Sequence, residues 1–196
     1  MYKIGITGNM GSGKTTICRI FEHLGVPVYY SDQEAKKFYA CQNIKDELYR
    51  LFGAEIFTQT GGIDAKKMAK IVFNNAELLQ KLNTLIHPLV WEDFEKWCKN
   101  YEKHPYVLLE SAIIYPCKLT HLFDKIIFVD APLPLILERV RQRDKINFEE
   151  IKKRIELQST KFELMQPNYI IQNNEKQLII PQVIAMHQDL ISFSSD

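Results

Sequence analysis

Apolar and polar positions alternate along the chain in blocks that read as strands and helices by turns. Tyr2 to Thr7 is a short β-rich run and predicts a first strand. Thr15 to Leu24 then places Ile17, Ile20, Phe21 and Leu24 at i, i+3, i+4 and i+7, the stripe of a helix with one buried face. Gly25 and Pro27 stop that helix, and Val26 to Tyr30 predicts a second strand. Ser31 and Glu34 have capping-box spacing, so residues 32 to 52 read as helical, with a loop near Phe57 to Gly62. Ala65 to Tyr101 is mostly helical, with Leu78, Leu82, Leu85 and Ile86 on one stripe. His87-Pro88 predicts a break there, because the residue before a proline avoids the helical region, and Pro88 suits the first turn of a new helix through Trp91, Phe94 and Trp97.

Two buried-type strands follow, Tyr106 to Ser111 and Lys125 to Asp130. Leu133, Ile136, Leu137 and Val140 form a helix stripe that ends in "RQRD", and Asn147 with Glu150 suits the start of a helix from 148 to about 165. Asn168 to Asn173 predicts a last strand, and a final helix closes the chain. Strands alternating with helices imply an α/β fold, a parallel sheet covered on both faces. The departure from simple alternation is the helical block between the second strand and Tyr106. No internal repeat or low-complexity tract interrupts the 196 residues, a length that favours one domain with a sizeable core.

Composition narrows the classes. Lys plus Arg is 25 and Asp plus Glu is 24, a net charge of +1, so bulk charge gives no argument for nucleic acid or a membrane surface as partner. The four cysteines, Cys18, Cys41, Cys98 and Cys117, form no C-x-x-C pair; they read as free thiols of a reducing compartment rather than zinc ligands or a disulfide framework. Glycines and Lys14 interrupt any N-terminal apolar run that would serve as a signal peptide, and no apolar stretch reaches the ~20 residues of a membrane span. The expectation is a cytoplasmic protein, monomeric or weakly self-associating.

The chemistry is concentrated in "GITGNMGSGKTT", residues 5 to 16. Gly8-x-x-x-x-Gly13-Lys14-Thr15 matches the phosphate-binding loop pattern in full, with a strand before it and a helix after. Glycines such as Gly8, Gly11 and Gly13 let the backbone turn its N–H groups onto phosphate oxygens, and the following helix adds the partial positive charge of its N-terminus. Lys14 reaches β and γ phosphates, the Thr15 hydroxyl suits Mg²⁺, and Ser12 and Thr16 complete the nucleotide-binding set. The D-x-x-G and N-K-x-D segments of GTPases are absent, which lowers the switch-protein reading and raises that of a kinase.

A kinase also needs a base and mobile cations. Asp32 follows the second strand, on the sheet edge where α/β folds bind ligands, and suits a base for an attacking hydroxyl; complementing the dipole of its own helix is an equal alternative. Arg139 and Arg143, one helical turn apart, suit developing phosphate charge, or else a solvated helix edge with Glu138 and Asp144 as partners. Gln158 continues the stripe Phe148, Ile151, Ile155, Phe162 and faces either a ligand or the core. His87 reads as a capping or core histidine. Tyr39, Phe73, Trp91, Phe94 and Trp97 read as packing of the helical insertion.

Together these segments resemble the dephospho-CoA kinase family over roughly residues 2 to 190. "VPVYYSDQEAKK" resembles that family's acid-rich segment, in which Asp32 matches the acid used as base and substrate contact and Lys36 matches an arginine. "LNTLIHPLVW" resembles its HPL segment, which aligns His87 with a substrate-domain histidine. "FVDAPLPLILERVRQRD" resembles its R-x-x-x-R-D helix; Gln158 and "NYIIQNN" resemble its lid glutamine and closing strand. Tyr30 departs from the family's first acid, and Glu110, Ala112 and Pro116 depart from its D-x-P-L-L-F-E, though Glu110 still offers a carboxylate at a strand end.

The resemblance implies a P-loop NTPase fold, a three-layer α/β/α arrangement with a five-stranded parallel sheet. The implied core is 1–59, 104–139 and 167–196, with a helical substrate subdomain near 60–103 and a lid near 140–166. It implies transfer of the ATP γ-phosphoryl group to the 3′-hydroxyl of dephospho-CoA, with Mg²⁺, through Lys14, Asp32, Arg139 and Arg143, and acceptor contacts at Asp32, Lys36, His87, Glu110 and Gln158. Two alternatives stand beside it: a P-loop kinase of nucleoside monophosphates or another small metabolite, and a nucleotide-binding module without turnover.

Overall fold

Five strands, β1 (Tyr2–Thr7), β2 (Val28–Tyr30), β3 (Tyr106–Glu110), β4 (Lys125–Asp130) and β5 (Tyr169–Gln172), pair in parallel in the order β2-β3-β1-β4-β5. The computed structural model describes residues 1–144, 147–158 and 166–193, and the side chains of all of these but 157 and 158. The strands are near-continuous apolar runs, as a parallel sheet covered on both faces requires. The order reverses at β1, so the loop that leaves β1 stands at the carboxyl edge of the sheet, where α/β folds bind their ligands.

The chain divides into two compact units, residues 1–30 with 98–196, and residues 31–97. The first holds the sheet with α1 (Lys14–His23), α6 (Leu133–Asp144), α7 (Phe148–Gln158) and α8 (Ile179–Phe193). Ile17, Cys18 and Phe21 of α1 and Val183, Met186 and Leu190 of α8 pack with Ile4, Ile6, Leu108, Ile127, Val129 and Ile171 of the strands. A smaller cluster joins Ile136 and Val140 of α6 to Ile151 and Ile155 of α7, with Met10 of the glycine-rich loop packed against it. Asn147 caps α7 as its spacing predicts, its Oδ1 accepting from Glu150 N at 2.9 Å. The part of the expected 148–165 helix beyond 158 lies outside the described residues.

The second unit contains α2 (Ser31–Phe38), α3 (Gln42–Phe52), α4 (Ala65–Val72) and α5 (Ala76–Cys98). It begins at Ser31, earlier than the expected subdomain at 60–103. The stretch read as one helix from 32 to 52 is two. A turn at Tyr39–Cys41, closed by bonds from Cys41 N to Phe38 O and from Ala40 N to Lys37 O, separates an exposed α2 from α3, whose stripe Ile44, Leu48, Phe52 is buried. Ser31 itself is the first helical residue and is buried.

The break expected at His87-Pro88 is corrected: α5 runs unbroken through Pro88. The proline removes one donor from the helix and disfavours the helical region for His87. Against that, Leu82, Ile86, Val90 and Phe94 lie at helical spacing on both sides and are all buried, so continuing the helix keeps one apolar face intact. Trp91 and Trp97 flank buried Phe94 at ring-centroid distances of 5.2 and 5.9 Å, the packing expected of these aromatics. Among the described residues no helix is long and apolar enough to cross a membrane.

Candidate active site

The loop Gly8–Gly13 passes from β1 into α1 with three glycines at positive φ. At Gly13 two constraints coincide. Its φ of 98° is left-handed, and a Cβ there would lie 2.2 Å from Nδ2 of Asn173. At Gly11 a Cβ would lie 2.5 Å from Cγ2 of Val140, so α6 sits directly on the loop. The first turn of α1 carries no acidic residue and no side-chain cap, which leaves its positive end suited to an anion.

Lys14 is 7% exposed, and its Nζ donates to the carbonyls of Gly8 at 2.9 Å and Asn9 at 3.1 Å, across the mouth of its own loop. The Thr15 hydroxyl donates to the carboxylate of Glu110, 3.1 Å from Oε1 and 3.2 Å from Oε2. Strand register explains that meeting: Glu110 ends β3 opposite Ile6 of β1 and Tyr30 of β2, so its side chain stands at the edge where α1 begins. Tyr30 hydrogen-bonds Glu22, and burial first, then that bond, raises its phenol above the ordinary range. Burial also raises the Cys18 thiol, with Glu110 adding to the shift and Lys14 opposing it, which keeps Cys18 an inert core residue.

Thr15 and Glu110 together offer a hydroxyl and a carboxylate oxygen, the hard donors that Mg²⁺ takes while keeping waters and phosphate oxygens as its other ligands. Among the described residues no group of three or more His, Cys, Asp or Glu could hold a metal ion by itself. The hydroxyl and carboxylate oxygens fit a Mg²⁺ ion whose remaining ligands come from phosphate and water.

The sequence candidates on α6 part company. Arg139 Nη2 donates to Glu175 Oε1 at 3.0 Å and lies 3.5 Å from both O and Oδ1 of Asn173. Its Nη1 is buried with no hydrogen-bond partner among the described residues. Arg143 instead pairs with its neighbour Asp144, at 2.7 and 2.9 Å, on an exposed helix edge. Gln158 closes α7, and its side chain lies outside those described.

In the second unit Asp32 and Lys36 are exposed on α2, and His87 is half-buried on α5. Burial lowers the His87 imidazole below its ordinary value, and the Asp32 charge works against that shift. The same carboxylate adds to the rise of Tyr39, whose main cause is burial. Asp32 is thus within electrostatic reach of both Tyr39 and His87, a relation that spacing alone did not disclose.

Two features escaped sequence reasoning. Asn173, just past β5, is buried and donates from Nδ2 to the carbonyl of Ser12 at 2.7 Å. Tyr115 leaves its hydroxyl buried without a partner among the described residues, beside a cavity of about 10 Å³ lined by Thr7, Gly8, Asn9, Ala112, Pro116 and Phe128. That space is about the size of one water.

Comparison with known proteins finds relatives over most of the chain. The family profile described as dephospho-CoA kinase matches residues 2–178. A dephospho-CoA kinase of Bacteroides fragilis is 36% identical over 186 residues, covering 94% of this chain and 90% of that one. One of Leptospira interrogans is 37% identical over 174 residues, covering 88% and 84%. A crystal structure from Thermus thermophilus superposes with a TM-score of 0.81 at 28% identity, covering 96% of each chain. The dephospho-CoA kinase from Campylobacter jejuni shares the fold, with a TM-score of 0.67 at 22% identity and coverage of 97% and 98%.

Proposed function

This chain belongs to the dephospho-CoA kinase family, and we propose on that premise that it moves the γ-phosphoryl group of ATP onto the 3′-hydroxyl of dephospho-CoA, the last step of coenzyme A synthesis. The observation that carries the reading is the junction of loop and helix, where Lys14 spans the glycine-rich turn and Thr15 meets Glu110. Loop amides and the start of α1 hold the β and γ phosphates. Lys14 exchanges its two carbonyl partners for phosphate oxygens and offsets charge as the γ-phosphorus–oxygen bond to ADP breaks. Thr15 and Glu110 are the residues that would hold Mg²⁺, which when bound neutralises phosphate charge and fixes the geometry of the transferring group.

Asp32 is assigned the base. It accepts the proton of the 3′-hydroxyl as that oxygen bonds to phosphorus. His87 and Lys36 are assigned to the acceptor, His87 within electrostatic reach of Asp32. Arg139 is assigned to the transferring phosphates, since one of its terminal nitrogens keeps an unused donor. Arg143 and Gln158 are assigned to the lid that excludes water during transfer, and the free thiols suit a reducing cytoplasm.

Purified protein supplied with Mg-ATP and dephospho-CoA should release ADP in step with a product one phosphate heavier, read by mass spectrometry. Inert dephospho-CoA beside turnover of AMP or shikimate would move the assignment to another small-molecule kinase.

A further inference from the structure

Asn173 lies 161 residues from the loop residue whose carbonyl it holds. Its backbone N–H continues the sheet pairing by donating to Asp130 O at 2.8 Å. Its side chain leaves the strand and donates to Ser12 O, in a site where both residues are buried. The Ser12 carbonyl and the Gly13 N–H belong to one planar trans peptide, so they point in opposite directions. Holding that carbonyl toward β5 therefore holds the Gly13 N–H toward the other side of the loop. Gly13 is also the left-handed residue from which α1 starts.

The same asparagine meets Arg139. The guanidinium Nη2 is 3.5 Å from both Asn173 oxygens and is anchored more firmly on Glu175 at 3.0 Å. Glu175 adopts a left-handed φ of 63°, and the turn is braced by Asn174 Oδ1, which accepts from Lys176 N and Gln177 N at 3.0 Å each. A non-glycine residue held at such a φ is maintained by its surroundings at some cost. So the segment after β5 grips a phosphate-loop carbonyl with Asn173 and an α6 arginine with Glu175, two residues on.

We infer that Asn173 is a positioning residue of the nucleotide site: it sets the phosphate loop through Ser12 and Arg139 through its own oxygens, so that loop and arginine are placed as one piece. This rests on the assignment of Arg139 to the phosphates, and it adds a residue that itself touches no reacting atom. It also gives a reason for glycine at position 13 beyond backbone freedom, because the Asn173 amide occupies the space a Cβ would need.

The test separates positioning from mere support. Asn173→Asp is isosteric but replaces the donor with a charge that repels Ser12 O, so Mg-ATP affinity measured by calorimetry should fall about 10-fold or more. The KM for dephospho-CoA should stay within about two-fold of native, since the acceptor is not what the loop holds. Asn173→Ala should show coupling: adding Arg139→Ala to it should cost less than about a third of the turnover loss that Arg139→Ala causes alone. Unchanged ATP affinity in Asn173→Asp, or fully additive losses in the double variant, would overturn the inference. So would a parallel rise of both KM values with a matching fall in melting temperature, which marks a bracket and no more. If Asn173→Asp does not fold, the Asn173→Ala cycle carries the test. The affinity arm needs no acceptor, so it is read even where the acceptor assignment itself fails.

Discussion

The phosphate loop and the α2–α5 block treat their polar groups in opposite ways. At the loop and the first turn of α1, polar groups are already engaged: buried Lys14 on two carbonyls, exposed Thr15 on Glu110, and the Ser12 carbonyl on buried Asn173. In the block, the acceptor candidates Asp32 and Lys36 are exposed, and the order comes from apolar stripes such as Leu82, Ile86, Val90 and Phe94. A site for triphosphate is the same in every turnover and gains from dipoles fixed in advance. A site for a long, flexible acceptor gains less from being fixed, because its contacts must form around the substrate.

The sharpest way to break that contrast is a pair of substitutions. Lys14→Ala removes an engaged cation from the loop and should lower kcat/KM about 10³-fold, with weaker ATP binding as well. Asp32→Asn removes the proposed proton acceptor from an exposed position and should lower kcat by about 10²-fold or more while Mg-ATP affinity stays native. Steady-state kinetics beside calorimetric titration of Mg-ATP reads both. Equal loss of ATP affinity in the two variants would mean that Asp32 belongs to the nucleotide site, and a near-native kcat in Asp32→Asn would leave it only the dipole of α2 to serve.

The contrast also governs what was legible beforehand. The phosphate loop, β1 and β4 follow from local signals: a motif of fixed spacing and short apolar runs bounded by turn residues. The partners that hold the loop do not, because Asn173 and Glu110 reach it only through strand register and sequence separations of 161 and 95 residues. Arg139 and Arg143 look alike in sequence, one turn apart, yet one meets Asn173 and Glu175 while the other meets only its neighbour Asp144 among described partners. In the helical block, local rules misled. Proline chemistry predicted a break at His87-Pro88, and the buried stripe overrode it.

That override is itself measurable. Pro88 is exposed, so Pro88→Ala empties no core space and restores a donor for the carbonyl one turn back. The gain should be about 1 kcal/mol, below the ~3 kcal/mol that separates the two residues in a host helix, because α5 has already relaxed around the proline. For a chain of this size that is a rise of about 2–4 °C in melting temperature, with Mg-ATP affinity unchanged. A lower melting temperature would show that the proline's restriction of the unfolded chain outweighs the bond it forfeits.

The finest comparison is between two histidines, one in each unit. Burial lowers both His87 and His187 from the ordinary value of 6.5, but only at His87 does a carboxylate, Asp32, pull the other way. His187 is held by the Tyr106 hydroxyl, 2.7 Å from its Nδ1. Asp32→Asn should therefore lower the His87 pKa further and leave His187 in place, as read from imidazole resonances by NMR titration. The sign for stability follows from the depression. Both rings contribute fully above the unfolded value of 6.5, and the contribution is lost as the pH falls below it, since the unfolded chain takes up protons first. Melts between about pH 7.5 and pH 5.5 should show the native chain losing stability on acidification, and Asp32→Asn losing slightly more, because it widens the gap at His87. An unmoved His87 would place Asp32 out of its reach, whereas equal shifts at both rings would report a change in the fold rather than the loss of one neighbouring charge.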